Sequence, residues 1–181
     1  MTERESILAA LPEPAGGPIP AVFDRRRDPI SDLWLAFEEA LVSLGGQMLP
    51  AGALPLLVNR PGEIWFDDDT LPYLPRGIEK ATSIWDAEVG VCMGDLAIAE
   101  TGSLILAAGQ GRSRLTSLAP PVNVVLVREA SIVAKPEDGF ERLSKSTSVI
   151  VTGTSRTGDI EGILVRGVHG PRELYVVKLD N

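Results

Sequence analysis

Cysteine and histidine are almost absent from this sequence. Cys92 is the only cysteine and His169 the only histidine among 181 residues. A disulfide needs two thiols, a structural zinc site takes about four Cys or His ligands, and an iron–sulfur cluster is usually held by about four thiolates. One copy of the chain cannot supply these ligand sets, so we expect it to hold no metal centre of its own.

Basic residues and long apolar runs are also scarce. The 17 Lys and Arg face 25 Asp and Glu, which gives a formal net charge of −8. Nucleic-acid phosphates are bound by surfaces rich in Lys and Arg, so this balance argues against nucleic acid as a partner. Apolar runs such as 122–127 are far shorter than the roughly 20 residues of a membrane-spanning helix, and the first residues lack the pattern of a secretory signal. We expect a cytoplasmic protein without a membrane span.

The composition indicates one folded domain. Hydrophobic residues make up 44% of the chain and charged residues 23%, the balance of a globular protein. Prolines and glycines are concentrated between residues 12 and 20, where they disfavour regular structure. We therefore predict a mobile N-terminal arm over residues 1–20 and a single α/β domain over residues 21–181.

The hydrophobic pattern changes from helical spacing to short apolar runs. Apolar residues recur every three or four positions over residues 31–44, which predicts an amphipathic helix. Two shorter helices are predicted at Pro136–Leu143 and Asp159–Val165. Runs apolar at nearly every position suit strands covered on both faces, and so favour a layered α/β sheet. The predicted strands are Leu54–Val58, Glu63–Phe66, Thr82–Trp85, Leu96–Ala99, Leu104–Ala107, Val122–Val127, Val149–Val151 and Leu174–Leu179.

A polar turn separates two of these apolar runs. Glu100, Thr101 and Gly102 lie between them, at a strand end of the kind where α/β sheets often place ligands. Glu100 is a candidate catalytic group, and Thr101 and Gly102 are candidate substrate contacts. The alternative is a tight hairpin turn with a solvated carboxylate.

A glycine-rich loop over residues 109–114 contains two arginines. The guanidinium groups of Arg112 and Arg114 are suited to carboxylate or phosphate, so the loop is a candidate anion clamp. It lacks the Gly-Lys-Ser/Thr ending of a P-loop. An ordinary surface loop with two solvated arginines is the alternative.

A segment rich in hydroxyl and glycine residues follows the predicted strand at Val149–Val151. If it leads into a helix, free amides at the helix N-terminus would bind an anion, with acidic residues available for acid/base chemistry. The alternative is a plain N-cap with a local ion pair between Arg156 and Asp159. The candidate residues are Ser155, Arg156, Thr157, Asp159 and Glu161.

The only histidine lies in the loop Gly167-Val-His-Gly-Pro171. Its imidazole can serve as a general acid/base, although a lone loop histidine is commonly structural. The acidic run Asp67-Asp68-Asp69 could bind a divalent cation or form a solvated turn.

These motifs together resemble one protein family. Ala-Glu-Thr-Gly-Ser, the arginine loop, Thr-Gly-Thr-Ser-Arg-Thr-Gly-Asp-Ile-Glu and Gly-Val-His-Gly-Pro follow one another as in the lactate utilization protein C family of LUD domains. The resemblance covers roughly residues 80–181. Ser103 replaces a more common threonine but keeps the hydroxyl, and Thr154 replaces a common proline, which loosens the turn.

The resemblance implies both a fold and a role. The implied fold is a NagB/RpiA/CoA transferase-like, three-layer sandwich with a mixed, largely parallel sheet covered by helices. The implied role is that of an accessory component in oxidising L-lactate to pyruvate, with the iron–sulfur clusters in partner proteins. Thr101, Arg156 and His169 would then line a pocket for a small carboxylate or other anionic metabolite.

Two other functions stay open. One is a stand-alone enzyme acting on a phosphorylated or CoA-linked metabolite, with Glu100 as nucleophile or base and Arg112 and Arg114 as the anion clamp. The other is a non-catalytic regulator that binds a small acid and a partner protein. Whether the chain is an enzyme or a non-redox subunit of an L-lactate dehydrogenase complex is not decided by the sequence.

Overall fold

The structure is a computed structural model that describes residues 29–59, 63–143, 147–158 and 164–180. The predicted N-terminal arm over residues 1–20 lies outside the described residues. So do Asp159 and Glu161, two of the predicted site residues. No helix in the described part of the chain is long and apolar enough to cross a membrane.

Three α-helices and eleven strands are formed by the described residues. The helices are α1 (Leu33–Ser43), α2 (Leu54–Val58) and α3 (Pro136–Glu141), and short 3-10 helices span Ala51–Ala53, Asp68–Tyr73 and Arg114–Ser117. The strands are β1 (Gln47–Pro50), β2 (Glu63–Phe66), β3 (Ala87–Gly94), β4 (Leu96–Ile98), β5 (Ser103–Ala107), β6 (Val122–Arg128), β7 (Ile132–Val133), β8 (Ser148–Thr152), β9 (Arg156–Gly158), β10 (Leu164–Arg166) and β11 (Glu173–Leu179).

A five-stranded parallel sheet forms the centre of the molecule. Its strand order is β1-β11-β6-β3-β2, and every neighbouring pair runs parallel. Strand β6 lies in the middle, and its residues Val122–Val127 are all buried. This explains its apolar run, because a central parallel strand is covered on both faces. The predicted α/β class with a largely parallel sheet is confirmed.

Each face of this sheet packs against a different layer. On one face, alternate residues of β3 and β6 contact α2 and the segment Ile64–Leu74. On the other face, Phe37 and Leu41 of α1 pack with β4, β5, Val125 and Val127. Both α1 side chains are fully buried. The molecule therefore has three layers, of which one combines a helix with a second sheet.

The second sheet carries two of the predicted motifs. Its strand order is β7-β4-β5-β8, with β4 and β5 antiparallel and β8 at the edge. Gly102, in the turn between β4 and β5, has a positive φ of 63° and lies directly against the backbone of Leu41 in α1. Gly102 was predicted as a substrate contact, and the structure uses it for close packing between the turn and the helix.

The helix predicted over residues 31–44 is confirmed, with small shifts at both ends. It spans Leu33–Ser43, and the side chain of Asp32 accepts a hydrogen bond from Leu35 N at 3.0 Å as the N-cap. The predicted α3 is likewise present, over Pro136–Glu141.

Three predictions of secondary structure are wrong. Leu54–Val58 was predicted as a strand and is α2, because Pro55 starts a helix easily and removes a ladder donor. Thr82–Trp85 forms a turn, and the strand begins only at Ala87. The last residues of the helix predicted at Asp159–Val165 belong to β10, which pairs antiparallel with β9. The segment after Ser155 is thus extended on both sides of residues 159–163.

Candidate functional site

An open cavity of about 420 Å³ lies between the edge of the second sheet and the loops that lead into the central sheet. Strand β8 forms one wall from Val149 to Thr152, and the loop Gly153–Arg156 continues it. The opposite side is formed by Ser117–Leu118, which precede β6, and by His169–Pro171, which precede β11. Leu44, at the end of α1, closes the remaining side.

Backbone hydrogen bonds hold the loops of this cavity together. Ser155 N donates to Pro171 O at 2.9 Å, and Gly167 N donates to Ser155 O at 3.0 Å. Thr154 N donates to Leu44 O at 3.4 Å. The loop that carries Arg156 is therefore tied both to the histidine loop and to the end of α1.

Two glycines allow the end of α1 to approach this loop. Gly45 has φ 85°, and a Cβ added there would lie 2.6 Å from Nη2 of Arg156. Gly153 has φ 79°, and a Cβ added there would lie 2.7 Å from Leu44 O. The Arg156 guanidinium consequently lies beside the C-terminus of α1, where exposed carbonyls favour a positive charge.

A chain of hydroxyl groups reaches the cavity from the turn between β4 and β5. Thr101 Oγ1 donates to Ser103 Oγ at 2.8 Å, and Ser103 Oγ lies 2.8 Å from Thr152 Oγ1, which borders the cavity. Because the Ser103 hydroxyl accepts a hydrogen bond from Thr101, it can in turn donate its own hydrogen to the Thr152 hydroxyl. Thr101, a predicted site residue, is thus connected by hydrogen bonds to Thr152 at the border of the cavity.

The cavity brings together three of the residues predicted as site residues. Arg156 and His169 are exposed and Ser155 is half-buried, and all three border it. Thr157 points to the opposite face of β9 from Arg156, because successive strand residues alternate. A guanidinium, an imidazole and several hydroxyls around one open space are suited to bind and orient a small anion.

The two arginines of the predicted anion clamp have different surroundings in the structure. Arg112 forms a two-pronged ion pair with Asp95 at 2.9 and 2.7 Å, and its Nη2 also donates to Met93 O at 2.8 Å. The hydrogen bonds that Arg112 donates to Asp95 raise the pKa of Arg112 above its usual value. Arg114 is exposed in a 3-10 helix. Both border a separate space of only about 10 Å³, room for about one water molecule.

Glu100 lies at a different place from His169. It borders an apolar cavity of about 470 Å³ that includes Ala36 and Ala40 of α1, together with Lys135. Two of the three residues predicted as catalytic, Glu100 and His169, therefore do not share a cavity in the described structure. The third, Asp159, lies outside the described residues.

The side chains of the acidic run Asp67–Asp69 form hydrogen bonds and ion pairs within the protein. Asp67 is buried, and its Oδ1 accepts from Ser113 N at 3.1 Å and from Thr116 Oγ1 at 2.7 Å. Burial raises the pKa of Asp67 despite these bonds. Asp68 and Asp69 pair with Lys80 and Arg112 at 3.2 and 3.5 Å. Among the described residues, no group of three or more His, Cys, Asp or Glu side chains is placed to hold a metal ion.

Thr152 borders the cavity and Gly45 lies against Arg156, and neither was among the predicted site residues. Thr152 was missed because it was taken as part of the turn after the strand, although β8 alternates Val149 and Val151 inward with Ile150 and Thr152 outward. That alternation could have placed it. The contact of Gly45 with Arg156 joins segments more than 100 positions apart, which no local pattern shows.

The comparison with protein families found a match to a family model. The family model described as LUD domain matches residues 77–178, which include β3 to β10 and most of β11. The chain belongs to the LUD domain family. The family resemblance noted in the sequence is thereby confirmed, and the match contains Thr101, Thr152, Arg156 and His169.

Several similar proteins share one name, Lactate utilization protein C. The protein of Geobacillus sp. (strain WCH70) is 32% identical over 104 residues, covering 52% of this chain and 43% of that protein. The protein of Deinococcus radiodurans is 43% identical over 89 residues, covering 45% and 42%. The protein of Shouchella clausii (strain KSM-K16) is 28% identical over 133 residues, covering 68% and 55%. The chain thus spans about half the length of these relatives.

A solved structure has a similar fold. The crystal structure of a DUF162 family protein from Deinococcus radiodurans superposes with a TM-score of 0.69, at 23% sequence identity. The superposition covers 84% of this chain and 100% of that one. It supports the α/β architecture described above.

Proposed function

We propose that this LUD domain protein is an accessory component of L-lactate utilization. In this proposal it works in the oxidation of L-lactate to pyruvate, and the cavity between β8 and the histidine loop binds a small carboxylate or related anion. The observation that carries the proposal is the position of Arg156 and His169 on the walls of one open cavity. The name shared by the similar proteins, Lactate utilization protein C, is the reason that the proposal specifies lactate.

The charges of the cavity favour an anion. Arg156 is exposed, and no ion pair joins it to a carboxylate among the described residues. Its planar guanidinium can bind a carboxylate with two parallel hydrogen bonds. Thr152 and Ser155 add hydroxyls that can bond the remaining oxygens of a hydroxy or keto acid.

The size of the cavity also fits a small ligand. Pockets for small molecules commonly enclose about 300–1,000 Å³, and this one has about 420 Å³. Leu44, Leu118 and Val149 supply apolar surface beside the polar groups. Such a mixture allows the apolar part of a short-chain acid to be covered while its charge meets Arg156.

The redox chemistry is assigned to partner proteins in this proposal. Cys92 is the only cysteine of the chain, and it is buried in β3 with Sγ 3.5 Å from Asn123 Oδ1. Burial raises the pKa of the Cys92 thiol well above its usual value, which disfavours the thiolate that binds iron. Cluster ligands would therefore come from other subunits.

Purification of the tagged chain from its own host tests the proposed assembly. Cells are grown on L-lactate and lysed anaerobically, the co-eluting proteins are identified, and iron and acid-labile sulfide are measured. We expect an iron–sulfur protein to co-elute at a defined ratio. The same preparation from an Arg156→Gln strain should retain the partner, because Arg156 is assigned to the ligand and not to assembly. A metal-free single species would contradict the accessory role.

A further inference from the structure

Two arginines face each other across the ribbon formed by β9 and β10. The two strands are antiparallel, and their register places Arg166 directly opposite Arg156. Directly opposed residues lie on the same face of a ribbon, with Cβ atoms about 5 Å apart. Like charges in such positions repel each other, so the pair is unfavourable unless something negative lies between the two guanidinium groups.

The described residues supply no negative partner for this pair. Both side chains are exposed, and the ion pairs that the described structure contains use Lys80, Arg112 and Lys178 instead. In a chain with a formal net charge of −8, the two opposed arginines place two positive charges on one face of the ribbon.

The loop that follows Arg166 connects the arginine pair to the cavity. Arg166 is followed by the loop that carries His169, and this loop is anchored to the Arg156 loop through the bond from Gly167 N to Ser155 O. Arg172 packs against Gly167, where an added Cβ would lie 2.8 Å from its Cβ. Arg156 and His169 border the cavity, and Arg166 lies directly opposite Arg156 on the ribbon beside it.

We propose that the ligand of this cavity is a dianion, a small molecule with two negative charges held in part by Arg156 and in part by Arg166. A dicarboxylate or a phosphate group has this chemistry. A monocarboxylate such as lactate neutralises one guanidinium and leaves the repulsion between the two only partly relieved. The inference rests on the proposed function of the cavity and adds the charge of its ligand.

Binding measurements on the purified full-length chain test this proposal. Isothermal titration at fixed ionic strength and mildly alkaline pH compares malonate and inorganic phosphate, both dianions there, with the monoanions L-lactate and acetate. We expect both or one of the dianions to bind about tenfold or more tightly than lactate, since each charged hydrogen bond adds about a tenfold gain. Malonate and phosphate separate a dicarboxylate ligand from a phosphorylated one.

Two variants test whether Arg166 binds the second negative charge of the ligand. Arg166→Gln should weaken the preferred dianion about tenfold and lactate less than about threefold. The matched control is Arg142→Gln, an exposed arginine at the end of α3 whose loss changes the net charge equally. It should change neither affinity. Circular dichroism and thermal unfolding of each variant establish that it is folded.

Three results would overturn the proposal. These are equal affinities for lactate and both dianions, an equal loss for both classes in Arg166→Gln, or the same effect from Arg142→Gln. The proposed function fails by a different result, namely normal growth on L-lactate of a strain with Arg156→Gln. Failure of the dianion preference together with loss of growth in that strain would remove this inference and leave the proposed function standing.

Discussion

Two arginines of this protein have similar local sequences but different surroundings in the structure. Arg112 and Arg156 each lie in a loop with nearby glycine and hydroxyl residues, and each was predicted to bind an anion. Arg112 is paired with Asp95 and Asp69 and bonded to Met93 O. Arg156 lies exposed on the wall of an open cavity without a described carboxylate partner. These contacts assign Arg112 to the stability of the fold, and the proposed function assigns Arg156 to the ligand.

The largest expected effect is the difference in stability between two matched variants. Arg112→Gln leaves Asp95 and the Met93 carbonyl without their charged donor and should lower the free energy of unfolding by about 2–3 kcal/mol. Arg156→Gln should change it by less than about 0.5 kcal/mol, as for an exposed residue. Urea unfolding at neutral pH measures both. Equal losses would remove the distinction between the two arginines.

A second pair of variants compares glycines beside these arginine regions. Gly45 and Gly111 have φ of 85° and 72°, so an alanine at either position should cost about 1–2 kcal/mol of stability. Only Gly45→Ala also meets the Arg156 guanidinium, whereas Gly111→Ala meets Asp68. Anion affinity measured by titration should therefore fall in Gly45→Ala and stay unchanged in Gly111→Ala. An unchanged anion affinity in both variants would mean that Arg156 does not bind the ligand.

A smaller effect is expected from the hydroxyl chain. Thr152→Val keeps the shape of the side chain and removes the hydroxyl that ends the chain from Thr101 through Ser103. Stability should fall by about 1 kcal/mol and anion affinity severalfold. Thr152→Ser, which retains the hydroxyl, should restore affinity. If Thr152→Val binds anions like the wild type, the chain has only a structural role.

The smallest effect concerns the pH dependence of stability near Arg112. Burial raises the pKa of Asp67, so its contribution to stability is complete below the unfolded value of about 4 and is lost as pH rises through the folded pKa. Asp67→Asn keeps an Oδ1 acceptor for Ser113 and Thr116 and cannot ionise. Relative to this variant, the wild type should be more stable at about pH 4 than at pH 7. The opposite trend would mean that the buried carboxylate is stabilised as an anion.

The central strand β6, with its continuous apolar run, could be predicted from the sequence, and β3, which contains glycines, could not. Val122–Val127 is buried on both faces and was recognised. Strand β3, beside it, was missed because Glu88, Gly90 and Gly94 interrupt its apolar pattern. Residue 90 must be a glycine because the carbonyl oxygen of Thr116 lies where a Cβ would be. That constraint comes from a segment 26 positions away and has no local sign.

The candidate site shows the same limit. Arg156 and His169 could be nominated from their motifs, and the structure places both on one cavity. The sequence could not show that Arg112 is bound by Asp95, 17 positions earlier, because that pair depends on the packing of β3 and β5. Nor could it show the Arg156–Arg166 pairing, since the intervening segment was predicted as a helix and its ends form a ribbon.

Growth on L-lactate tests the central claim most directly. The chromosomal gene is replaced by Arg156→Gln or by the control Arg142→Gln, and growth on L-lactate is compared with growth on a carbon source that bypasses lactate. Protein levels are followed by immunoblotting. The account predicts that Arg156→Gln abolishes growth on lactate alone at a normal protein level, while Arg142→Gln grows as the wild type. Normal growth of Arg156→Gln on lactate would contradict the assignment of this cavity.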